Sequence, residues 1–105
     1  MDVAPVRLLR TSSSERFALR RGESDVAVLD IHYLASGRVQ ATLIAFEGLL
    51  AEDEIPTLLT FLDENLLPDV TVEDGLVFTV VTGRILGAFS ATPDPAEIAI
   101  RDENE

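Results

Sequence analysis

Cysteine, lysine and tryptophan are all absent from this chain of 105 residues, and histidine occurs once. Without cysteine there are no disulfides, no thiolate zinc sites and no thiol nucleophiles, and a reducing cytosol is the natural home. No window approaches the ~20 apolar residues of a membrane-spanning helix, and the first residues lack the apolar run of a secretory signal. The chain is therefore expected in the cytoplasm, neither exported nor inserted. Basic residues are few: eight arginines stand against nineteen acids, a net charge of −11. Nucleic acid and anionic membrane bind through phosphate neutralised by Lys and Arg, so both are excluded as expected partners. The missing lysine fits either the arginine-rich codon use of a GC-rich genome or a salt-loving host.

The charge is unevenly placed. Arg7, Arg10, Arg16, Arg20 and Arg21 face only Asp2 and Glu15 within residues 1–21, while the remaining 84 residues carry three arginines against seventeen acids. A basic start and an acidic body follow, and the natural partner of the acidic body is a protein. Hydrophobic residues make up 47% of the chain. That is enough for one core at a length where single domains are the rule.

The most informative stretch runs from Asp25 to Glu47, two runs of alternating apolar residues hinged on Ala35-Ser36-Gly37. A three-residue loop with Gly37 in the left-handed region pairs Tyr33 with Val39, Ile31 with Ala41, Leu29 with Leu43 and Ala27 with Ala45. One face of the hairpin is then continuously apolar. A one-residue slip would invert every side chain, so the pattern fixes the register. The other face carries His32 opposite Gln40, Asp30 opposite Thr42, Val28 opposite Ile44 and Val26 opposite Phe46.

Before the hairpin, residues 1–14 read as an N-terminal basic arm in which Val6, Leu8 and Leu9 suit a short edge strand. Glu15 to Arg21 alternates as a strand. A three-residue turn at Gly22-Glu23-Ser24 sets Leu19 opposite Ala27 and Phe17 opposite Leu29. After the hairpin the period changes to that of a helix, with Ile55, Leu58, Leu59, Leu62 and Leu66 on one stripe. Glu52-Asp53-Glu54 suits the positive end of its dipole, Pro56 falls in the first turn, and Pro68 marks the stop. Two further strands are expected at Val70 to Glu73 and Leu76 to Val81 about an Asp74-Gly75 turn, with Arg84 to Ser90 as a sixth strand or a continuation. Residues 15–90 form the domain, and residues 91–105 an acidic C-terminal tail with a helical turn reaching Ile98.

The fold class predicted is α+β: an antiparallel β-meander of five to six strands with one amphipathic helix packed across one face, in the order β-β-β-α-β-β with room for a further strand. No spacing of residues in the chain makes a catalytic or cofactor motif. Asp30 and His32, with Gln40 and Thr42, share a strand face and offer the one polar constellation able to do acid/base work. A cross-strand ion pair between Arg16 and Asp30 accounts for the same residues more simply. The acids at 52–54 lack the alternate spacing of a calcium loop. No metal, cofactor or catalytic residue is assigned.

One helix covers one side of a sheet. Val26, Val28, Ile44, Phe46, Val77 and Val81 then lie on the other side, an apolar surface larger than soluble monomers normally expose. The function expected is a non-enzymatic protein-interaction module, a subunit, adaptor or chaperone-like protein, forming a homodimer or binding a partner through that face. Two other classes stay open: an acidic inhibitor or immunity-type protein that blocks a basic active site, and a small enzyme using Asp30 and His32.

Overall fold

The structure is a computed structural model describing residues 1–70, 75–91 and 100–102, the last three as backbone only. Strands β1 (Ala4–Arg10), β2 (Ser14–Arg21), β3 (Ser24–Tyr33) and β4 (Val39–Phe46) are followed by a 3-10 turn at Glu52–Glu54 and helix α1 (Ile55–Leu66). Then come β5 (Leu76–Gly83) and the short strands β6 (Phe89–Ala91) and β7 (Ile100–Asp102). Strands β1 to β5 form one open sheet in sequence order, and β6 pairs with β7 in a separate ribbon. The class is α+β, with a mostly antiparallel sheet and one α-helix among the described residues.

The β3–β4 hairpin has the register its alternation demands, with Tyr33 against Val39, Leu29 against Leu43 and Ala27 against Ala45. Leu34 and Arg38 close a three-residue loop through an N–H to O bond of 2.9 Å, and Gly37 takes φ +90. A side chain there would be strained, which is why glycine ends the loop. The apolar residues of that register, with Phe17 and Leu19 from β2, meet Leu58 and Leu62 of α1 in one core. Leu29, Ile31, Leu43, Leu58 and Leu62 are completely buried. Phe61, off the main stripe, is partly buried against the same core.

The β2–β3 turn differs from expectation. Arg21 pairs with Ser24, leaving a two-residue loop of Gly22 and Glu23, with Gly22 at φ +64. A β-bulge at Val26 then restores the predicted pairs Leu19–Ala27 and Phe17–Leu29. The bulge adds one residue to β3, so Val26 turns inward beside Ala27: it is 2% exposed and belongs to the core.

The second difference is the direction of β5. It runs parallel to β4, Val39 against Leu76 through Phe46 against Gly83, because α1 carries the chain back across the sheet before β5 begins. The expected hairpin partner of β5, Val70 to Glu73, falls outside the described residues except for Val70, which joins no strand, and the helical turn expected near Ile98 also falls outside them. Residues 84–88 join no strand ladder, and Ile85 and Leu86 are 72% and 87% exposed, so the sixth strand shrinks to Phe89–Ala91.

Candidate functional site

The outer face, opposite α1, is crossed by one apolar row. Val6 of β1 pairs with Ala18, Ala18 with Val28, Val28 with Ile44, and Ile44 with Val81, so the row spans all five strands. The arm therefore does not fold over this face; as β1 it extends it, and Val6 is 42% exposed. Val28, Ile44 and Phe46 are partly exposed, while Val77 and Val81 at the far edge are 55% and 46% exposed. Val26 is missing from the surface because of its bulge. Along their thinnest axis the described residues span 19 Å, the depth of a sheet and one helix layer.

Beside the row the outer face is polar. Arg16 forks onto Asp30, Nε donating to Oδ1 at 2.6 Å and Nη2 to Oδ2 at 3.1 Å. The Asp30 hydrogen bond and charge raise the pKa of the Arg16 guanidinium. Both carboxylate oxygens of Asp30 thus have a cationic partner, and His32, exposed between Ser14 and Gln40, makes no side-chain hydrogen bond among the described residues. Thr42 sits between Asp30 and Thr79 in the ladder. The four residues share a face, and among the described residues no direct hydrogen bond joins Asp30 to His32. Among the described residues no group of three or more potential metal ligands comes together.

A second cluster lies on the helix side of the sheet, toward the β3–β4 turn. Glu15 is 5% exposed, the one buried charged residue among those described. Tyr33 donates its hydroxyl to Glu15 Oε2 at 2.5 Å, and Arg7 and Arg10 approach Oε1 at 2.8 and 2.7 Å. Burial pushes the Glu15 carboxyl up, but the Tyr33 hydrogen bond and the two guanidiniums outweigh it and hold the carboxyl below its ordinary value. Tyr33 goes the other way, up to about 12, from burial first and the Glu15 carboxylate second. Arg7 also lies over the Phe17 ring, 5.6 Å from its centroid. Tyr33, Arg7 and Arg10 converge on this one carboxylate, so the cluster ties β1 and the end of β3 to β2.

Arg21 does comparable work at the opposite end. It bonds the Glu54 carboxylate, reaches the Leu49 carbonyl at 3.3 Å and pairs with Asp2 at 3.0 Å, fixing the chain start and the lead into α1 to β2. Its pKa is raised, chiefly by the hydrogen bond to Glu54. Neither cluster was expected, although one signal was available. Alternation places Glu15 on the same face as Phe17 and Leu19, an acid at a core position that needs a cationic partner.

No family model, curated protein or solved structure matches this chain. No helix among the described residues is long and apolar enough to cross a membrane.

Proposed function

We propose that the chain is a non-enzymatic protein-interaction module, a subunit, adaptor or chaperone-like protein, which docks a partner protein or a second copy on the outer face of its sheet. The observation that carries this reading is the apolar row Val6, Ala18, Val28, Ile44 and Val81, flanked by Phe46 and Val77. Fully burying a Val, Ile or Phe side chain is worth ~1.5–3 kcal/mol before the costs of association. Val28, Ile44 and Phe46 are already partly buried, so the exposed Val6, Val77 and Val81 have the most to gain. The row runs beside the Arg16–Asp30 fork, which gives the surface the apolar centre and polar border usual at protein interfaces. A cytoplasmic setting belongs to the same proposal.

The acidic-inhibitor reading rests on net charge and predicts binding to one basic target that weakens steeply with salt. Docking on an apolar row predicts little salt dependence. The test is Ile44→Asp, analysed by light scattering after gel filtration with an apolar fluorescent dye read on the same peak. A face covered by a second copy loses its dimer in the variant; a vacant face loses its dye. A folded variant with wild-type mass and wild-type dye signal ends the reading.

A further inference from the structure

The two edges of the five-stranded sheet are built differently. At one edge, β1 contains Pro5, carries Arg7 and Arg10, and shifts register at Leu8 through a bulge. These are the devices by which an edge strand is kept from pairing with another chain. At the other edge, β5 reads Leu-Val-Phe-Thr-Val-Val-Thr-Gly, with no charge, no proline and an unbroken ladder to β4. In a chain of net charge −11, an uncharged edge is where a second copy approaches with least repulsion. No described strand pairs with its far side.

The backbone fixes which groups face outward. Gly75 and Gly83 give their carbonyls to Val39 and Glu47, so the odd-numbered residues of β5 point their amides and carbonyls toward β4. Leu76, Phe78, Val80 and Thr82 therefore point theirs away from the sheet. We infer that β5 is a self-pairing edge: two copies join antiparallel through β5 about a two-fold axis at Thr79, making one continuous ten-stranded sheet. This register uses every outward-facing residue, Leu76 pairing with Thr82 and Phe78 with Val80 of the second copy. On the outer face it sets Val77 against Val81 and Thr79 against Thr79. Side chains stay on matching faces, β-branched pairs meet across the seam, and the apolar row of one copy continues into that of the other. The edge is separate from the outer face proposed above as a docking surface, and each has its own variant.

The test uses the full chain. Val80→Pro removes an outward amide but no bond to β4, a placement that an edge strand tolerates. It should leave the circular dichroism and melting transition of a diluted sample intact. It should also raise the dimer dissociation constant at least about tenfold, the effect of losing a net hydrogen bond at two symmetry-related places. Thr82→Pro serves the same purpose should Val80→Pro not fold. Because the chain has no cysteine, Thr79→Cys reports on the axis alone. Facing residues of this kind have Cα atoms about 4.5 Å apart, within disulfide reach, so mild oxidation should yield a covalent dimer. Val77→Cys, about 13 Å from its own counterpart in this register, should not cross-link. A wild-type chain that stays monomeric at high micromolar concentration overturns the inference, as does a folded proline variant that dimerises undiminished or a Thr79→Cys chain that fails to cross-link. A dimer split by Ile44→Asp but not by the proline variants overturns the edge and leaves the outer-face reading standing; the reverse result supports the edge.

Discussion

Tyr33→Phe isolates what the buried Glu15 cluster contributes, because it deletes one hydroxyl and leaves the ring in place. The hydroxyl donates to a carboxylate that is 5% exposed, so water cannot readily replace it. Hydrogen bonds to charged groups are worth ~1.5–3 kcal/mol, and the partial exposure of Tyr33 argues for the lower end, about 1.5 kcal/mol at neutral pH. For a domain of this size that lowers the melting temperature by about 5–10 °C.

The pH dependence carries the sign. Tyr33 is raised from 10.0 to about 12 on folding. The stability linked to its protonated phenol is therefore present below ~10 and lost as pH climbs through about 12. Phenylalanine has no such loss, so the gap between wild type and variant closes over that window. Urea unfolding at fixed protein concentration and several pH values measures the gap. Tyr33 is the only tyrosine and there is no tryptophan, so ultraviolet absorbance follows its ionisation alone. Equal stability of the two proteins at neutral pH, or a folded wild-type phenol titrating near the ordinary ~10, refutes the reasoning.

Glu15→Gln removes one contribution to the acid limb of the stability curve. The depressed carboxyl contributes stability above its ordinary 4.5 that disappears as pH falls through its lower folded value, and scans from neutral to acid pH should show the variant's curve flatter there. Val26→Asp should unfold the chain, since it places a charge in the core, whereas Val28→Asp two residues away should leave it folded; circular dichroism separates them, and two folded variants would contradict the bulge. Leu58→Ala should cost about 2–5 kcal/mol in denaturant unfolding, as expected for a completely buried leucine at the helix–sheet contact. A double-mutant cycle on Arg16 and Asp30 should give only about 0.2–1 kcal/mol, because the arginine is half exposed.

Where side-chain period alone decides the outcome, the sequence carried the fold. The β3–β4 register follows from alternation plus Gly37, and α1 from the stripe ending at Leu66. The Arg16–Asp30 pair follows from the register of β2 on β3. What escaped depends on backbone detail that alternation cannot encode. A two-residue turn with a bulge and a three-residue turn give the same Leu19–Ala27 pair, yet only the bulge sends Val26 inward. The parallel direction of β5 follows from the path of α1, to which a symmetric alternation of apolar residues is blind. Glu15 was visible as an acid at a core position, but Arg7, Arg10 and Tyr33 come to it from two other strands. On the outer face, Val28, Ile44, Phe46, Val77 and Val81 could be placed from their parity, and Val6 joins them only once β1 is seen to pair with β2.

The claim on which the functional account depends is that this outer face is a binding surface, and the comparison of wild type with Ile44→Asp on one gel-filtration column tests it most directly. With mass by light scattering and apolar-dye fluorescence on the same peak, the account predicts that the folded variant departs from wild type. It either falls from a dimer to 11.4 kDa or keeps the wild-type mass and loses the dye that wild type binds. A folded Ile44→Asp chain with the same mass and the same dye signal as wild type would contradict it.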